Sequence, residues 1–302
     1  MDDHHHGYAK LRGTRMRMEQ RGTALAVAGL TAAAVVLGTA APAQAATPKR
    51  NDSKTEAVLL VHGIDWVGEA SFDCRSGWKN LKSEFKEHAW KGSVRSVAFY
   101  KKDKNCDLRI ASAGVNDGIH KLGKALAKKI YSEYTSRGKS VDLVGHSMGG
   151  LVIRDALSGV AKKQSGYPAK LYVEDVVTLG TPHNGTNSSL CVYTPCAQMW
   201  KNSHYLELLK RNPQSAQGTD WTAIASDADE AIGEDTATGG GVRHWVRYKN
   251  IPGKKDHSLL RTTRDKTLTV KWRNLPEAAT GWRSGDAPLD KAFTALYWHS
   301  RW

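Results

Sequence analysis

Residues 145–150 read Gly-His-Ser-Met-Gly-Gly, and their setting constrains the fold more than any other feature of the chain. Before them stands the apolar run 140–144, suited to a buried strand; after them, from Met148 to about Lys163, runs a helical pattern. A G-x-S-x-G at such a junction is a sharp strand-to-helix turn: the glycines let the two elements approach, and the serine hydroxyl stands above the sheet. The alternation continues along the chain. Strand-like runs at 56–61, 94–100, 171–179, 221–226 and 243–251 are interspersed with amphipathic stretches, marked by Trp78, Leu81, Phe85, Ala89 and by Ile119, Leu122, Leu126, Ile130, Tyr134. This pattern implies right-handed crossovers and a mostly parallel sheet with helices on both faces, so the fold class is α/β. Two Gly/Ser/Thr-rich stretches, 182–198 and 233–241, are expected to be loops, and in such sheets the loops beyond the strands' carboxyl ends carry the chemistry.

A serine hydroxyl is a weak nucleophile. It needs a base, and the base needs an acid that fixes its tautomer. In the order that accompanies this turn, the acid follows the serine and the histidine follows the acid. Three histidines lie far enough downstream: His244 opens a strand, His299 is near the C-terminus, and His257 sits in a loop just past a strand end. His257 is therefore the expected base, with His244 as the alternative. Asp227, Asp229, Asp235 and Asp256 compete for the acid. Asp256 adjoins His257, and adjacent side chains on a loop rarely meet as a triad requires. Asp229 lies just beyond the run 221–226 and is the expected acid, with Asp227 as the alternative. The oxyanion formed on attack needs backbone donors, expected from Met148 and from Ile64 in His62-Gly63-Ile64. His62, His146 and His183 read as structural. No metal or other cofactor is implied.

Residues 1–45 carry Lys10, Arg12, Arg15, Arg17 and Arg21, then an apolar run from Thr23 to Leu37, then Ala43-Gln44-Ala45. This is the pattern of a secretory signal peptide cut after Ala45, leaving 46–302 as a single exported domain. The whole chain has net charge +14; without residues 1–45, which hold five Lys/Arg and three Asp/Glu, 39 basic residues face 27 acidic ones. No basic block is interleaved with aromatics as nucleic-acid binding requires, so the surplus favours an anionic lipid or wall surface, or solubility alone. Cys74, Cys106, Cys191 and Cys196 all follow the signal, where thiols are normally oxidised; pairing 74 with 106 and 191 with 196 suits their spacing better than a zinc site does. Trp66, Trp78, Trp90, Trp200 and the C-terminal tryptophans could form a lipid-facing rim, although single aromatics more often belong to the core.

Together, VHGI at 61–64, GHSMGG at 145–150, LGTPHNGT at 179–186, IASDAD at 224–229 and DHSLL at 256–260 resemble the small secreted bacterial lipases of lipase class 2, in the α/β-hydrolase superfamily. The likeness covers about residues 56–262. It implies an α/β-hydrolase fold and a triacylglycerol or carboxylic-ester lipase, with Ser147, Asp229 and His257 as the matching triad and Ile64 with Met148 as the oxyanion hole. The chain departs from the pattern at Asp65 and Trp66, where a small residue is common, and in the Trp-rich stretch after Arg261, which matches nothing in it. An acyltransferase using the same triad, or a silent module binding anionic surfaces, are the competing functions.

Overall fold

The computed structural model describes residues 46–187 and 192–298. The expected signal segment, Cys191 and His299 lie outside the described residues. One sheet is built from β1 (Ala57–Val61), β2 (Val94–Tyr100), β3 (Leu108–Ala113), β4 (Val141–His146), β5 (Val173–Leu179), β6 (Asp220–Ser226), β7 (His244–Tyr248), β8 (Thr267–Asn274) and β9 (Arg283–Asp286). Its helices are α1 (Cys74–Gly77), α2 (Lys79–Glu87), α3 (Ile119–Glu133), α4 (Met148–Ala161), α5 (Thr194–Met199), α6 (His204–Leu208), α7 (Glu234–Ala237), α8 (Asp256–Leu259) and α9 (Pro288–Thr294). The strand order is β3-β2-β1-β4-β5-β6-β7-β8-β9, parallel from β3 to β7 and antiparallel for the last two pairings.

The central strands are apolar on both sides because both sides are covered. Leu59 and Val61 of β1 join Leu122, Leu126 and Ile130 of α3 and Leu151 of α4; Val58 and Leu60 join Leu81 and Phe85 of α2 and Leu289 and Phe293 of α9. Each such side chain contributes about 1.5–3 kcal/mol relative to exposure. Because β1, β4, β5, β6 and β7 run parallel, their carboxyl ends open onto one edge, where every loop used below emerges.

The sequence does not mark β3, β8, β9, α9 or the short helices α1, α5, α6, α7 and α8; α5 (but for Met199) and α7 fall within the stretches expected to be loops, 182–198 and 233–241, because helices of four to six residues are too short to show a helical period. β3 is an edge strand of mixed polarity, and β8, β9 and α9 form the unplaced C-terminal stretch. That stretch belongs to the body of the fold: it closes one edge with a hairpin and returns α9 beneath α2, with the Phe85 and Phe293 rings 5.5 Å apart.

Candidate active site

Ser147 is the single residue between β4 and α4. Its backbone stands at φ 56°, ψ −131°, a region that costs a non-glycine residue about 1–3 kcal/mol and persists only where its surroundings enforce it. Here they do. Ser147 N–H donates to Leu179 O (2.9 Å), Thr181 Oγ1 donates to Ser147 O (2.9 Å), and α4 approaches β1 so closely that a Cβ on Gly149 would lie 2.2 Å from Val61 O.

His257 lies in α8, and its Nδ1 is 2.8 Å from Asp229 Oδ2. Both side chains are buried. Asp229 Oδ1 accepts the N–H groups of Ala231 and Ile232, both at 2.8 Å, so the carboxylate is fixed through one oxygen and faces the imidazole with the other. The backbone of His257 is held on both sides: its N–H donates to Glu230 Oε2 (3.2 Å), and its carbonyl meets His146 Nε2 at 2.8 Å. Among the described residues Ser147 Oγ and His257 Nε2 are each buried without a hydrogen-bond partner, so the serine–histidine bond is not formed here.

The other candidates are occupied elsewhere. Asp227 and Asp235 bind Arg247, at 3.0 and 2.9 Å. Asp256 accepts Ser226 Oγ–H (2.6 Å) and Ile251 N–H (2.9 Å), fixing the turn that leads into α8. His244 sits between Asp220 (3.1 Å) and Asn274 (2.8 Å) at the opposite edge of the sheet.

Gly63 brings the turn after β1 against the serine: a Cβ there would lie 2.7 Å from Ser147 Cβ and 3.2 Å from Ser147 Oγ. Neither Ile64 N–H nor Met148 N–H has an acceptor among the described residues. His62 is enclosed and paired with Asp103. Burial, with the neighbouring His257 and Arg261, holds His146 well below the usual imidazole range, so it is neutral and donates Nε2–H to the His257 carbonyl. His183 is pushed down to about 3, by burial and then by Arg154, and contacts Thr178 Oγ1 at 3.0 Å.

Sequence reasoning missed Glu230, Thr181 and Asp103. Thr181 lies within LGTPHNGT and Glu230 directly follows IASDAD, both motifs quoted above; Asp103 stands 41 residues from His62 and carries no local signal. Trp78 and Trp90 are corrections to the rim. Trp78 is fully buried, and Trp90 donates Nε1–H to Glu56 O (2.9 Å) while packing on Phe85. Trp66 and Trp200 are 40% and 51% exposed, and Val67 and Val192 are exposed too. Cys74 and Cys106 form a disulfide, whereas the expected partner of Cys196, Cys191, lies outside the described residues. Among the described residues one carboxylate group could hold a cation, Glu84 with Asp265 and Asp290, but Arg264 Nε already lies 3.2 Å from Glu84 Oε2. No helix among them is long and apolar enough to cross a membrane.

Residues 51–227 match the family described as "Putative serine esterase (DUF676)". The chain belongs to that family. The matched span holds the Ser147 elbow and the Gly63–Ile64 turn and stops two residues before Asp229. Among curated proteins, this family member is similar to the triacylglycerol lipase of Burkholderia plantarii, 29% identical over 176 residues that cover 56% of this chain and 42% of that one. It is also similar to Lipase 1 of Staphylococcus aureus (strain MRSA252), 29% identical over 140 residues, 36% of this chain and 20% of that one. It thus spans less than half the length of either relative. Among solved structures it is similar to mature Bacillus licheniformis lipase BlEst2 (20% identity, 71% of this chain, 90% of that chain, TM-score 0.44) and to Aspergillus fumigatus lipase B (16%, 61%, 40%, TM-score 0.42). The esterase half of the expectation agrees with that family, whose description is other than lipase class 2.

Proposed function

We propose that this chain is an exported hydrolase that cleaves carboxylic esters through an acyl-enzyme on Ser147. Ser147 Oγ attacks the ester carbonyl as its proton passes to His257 Nε2, and the new oxyanion is received by the N–H groups of Ile64 and Met148. The carbonyl re-forms as the C–O bond to the alcohol breaks, and His257 gives its proton to that alcohol. Water then repeats the sequence on the acyl-enzyme, releasing the acid. Asp229 keeps Nδ1–H directed and stabilises the imidazolium. The chemistry uses no cofactor.

The observation that carries this reading is the 2.8 Å contact between His257 Nδ1 and Asp229 Oδ2, with Nε2 left unpartnered, in a chain whose serine occupies a strained elbow. A lipid substrate is supported by the two curated relatives, both named lipases, and by exposed Trp66, Val67, Val192 and Trp200 on loops at the carboxyl edge of the sheet. Export is supported by the pattern of residues 1–45 and by the Cys74–Cys106 disulfide. The basic surplus supports adsorption to anionic lipid.

Initial rates on p-nitrophenyl esters from acetyl to palmitoyl, beside Ser147→Ala, test the chemistry. Turnover is expected in the parent alone, and substantial turnover by a folded Ser147→Ala protein overturns the mechanism. Adding a competing alcohol and analysing the products separates hydrolysis from acyl transfer. Binding to phosphatidylglycerol vesicles should fall steeply as salt rises while short-ester turnover changes little; salt-independent binding would reduce the charge to a solubility role.

A further inference from the structure

The enclosed ring of His62 lies flat between Phe99, with centroids 3.9 Å apart at 16°, and Phe72, 4.3 Å at 11°. Its Nε2 is 3.0 Å from Asp103 Oδ2, and its Nδ1 is 2.9 Å from the carbonyl oxygen of Gly63. A carbonyl oxygen only accepts, so Nδ1 donates to the Gly63 oxygen, while Nε2 pairs with the Asp103 carboxyl group. The same Asp103 oxygen accepts the N–H groups of Phe99 and Tyr100, both at 2.8 Å, which anchors the pair to the end of β2.

The Gly63 carbonyl and the Ile64 N–H belong to one planar, trans peptide unit, so they point in opposite directions and turn together. A hydrogen bond that fixes the first fixes the aim of the second. Ile64 N–H is one of the two donors proposed above for the oxyanion. The cage around His62 is in turn cross-linked. Phe72 stands two residues before Cys74, and Asp103 three before Cys106. The segments are joined by that disulfide and by Lys104 N–H to Phe72 O (3.0 Å), Cys74 N–H to Lys104 O (3.0 Å) and Lys102 N–H to Ala70 O (3.1 Å).

We propose that Asp103 is a positioning residue for the reaction: through His62 it sets the direction of the Ile64 N–H, and the Cys74–Cys106 disulfide holds together the two segments that cage the ring. This rests on the esterase reading, and it adds a working part that lies outside the triad and far from it in sequence.

Three variants of the full chain test it: Asp103→Leu, Asp103→Asn and the double Cys74→Ser/Cys106→Ser. Leu keeps approximate volume and removes the acceptor. Asn can put its Oδ1 where Oδ2 stands, keeping the Phe99 and Tyr100 N–H bonds and the seat of the ring, whose Nδ1–H stays on the Gly63 carbonyl. Kinetics on p-nitrophenyl butyrate should show kcat for Asp103→Leu lowered about 10–100-fold with KM within about twofold, since misaiming one donor forfeits part of the 10²–10³-fold loss typical of deleting one. Asp103→Asn should recover to within about threefold of the parent, and the double serine variant should lose about 3–10-fold in kcat. Affinity for a trifluoromethyl ketone, whose adduct places an oxyanion at the same spot, should fall in step with kcat/KM. A folded Asp103→Leu protein with parental kcat, a loss confined to KM, or unchanged ketone affinity overturns the proposal. If Asp103→Leu does not fold, a double serine variant with parental kcat and ketone affinity does so instead. Ser147→Ala separates the two failures: activity in that variant sinks the esterase reading itself, whereas an inert Ser147→Ala beside an unimpaired Asp103→Leu sinks only this inference.

Discussion

Two buried histidine–aspartate pairs stand beyond the carboxyl ends of the strands, and they differ in one nitrogen. His257 meets Asp229 at 2.8 Å through Nδ1 and leaves Nε2 without a partner; His62 meets Asp103 at 3.0 Å through Nε2 and places Nδ1 against the Gly63 carbonyl. A base must have a nitrogen free to take a proton, and His62 has none without breaking a bond that shapes its turn. His146 and His183 fall on the same side as His62, each neutral through burial and each engaged with a neighbour. A carboxylate beside an imidazole thus distinguishes little; the fate of the second nitrogen separates a proton carrier from a structural ring.

The largest effect that could break this comparison is on the bases themselves. His257→Ala should lower kcat about 10⁴-fold or more, whereas His62→Gln should lower it only about 10–100-fold, through misplaced backbone. Steady-state rates on a short ester, with thermal unfolding to show that both variants fold, check the order; equal losses would erase the distinction. Next comes the acid. Asp229→Asn keeps the shape and removes the charge that stabilises the imidazolium, so kcat should fall about 10³–10⁴-fold. Asp227→Asn breaks one of three carboxylate contacts to Arg247 at the surface and should change kcat by less than about threefold. The reverse order would move the acid to Asp227.

The parts of this arrangement that were legible in the sequence are local ones. GHSMGG between an apolar run and a helical pattern announces the elbow, because the glycines are needed where α4 crosses the end of β1. The parallel strands were legible for a related reason: burial on both faces leaves continuous apolar runs such as Ala57–Val61. β3 and β9 were not, because they are the edges of the sheet and carry few apolar residues, and β8, between β7 and β9, forms no continuous apolar run: TLTVKWRN alternates, with Leu268, Val270 and Trp272 separated by Thr, Lys and Arg. Among the site residues, Asp103 was illegible, since nothing near it marks a partner 41 residues away. Trp78 was ambiguous for the opposite reason: an aromatic at helical spacing suits a rim or a core, and only packing decides.

The most direct test of the central claim is where a mechanism-based ester analogue attaches. Incubating the protein with a p-nitrophenyl alkylphosphonate and mapping the adduct by peptide mass spectrometry should find one phosphonyl group per chain, on Ser147. Labelling should be lost in Ser147→Ala and slowed by orders of magnitude in His257→Ala. An adduct on another residue that abolishes turnover, or full ester hydrolysis by a protein whose Ser147 stays unlabelled, would contradict the account.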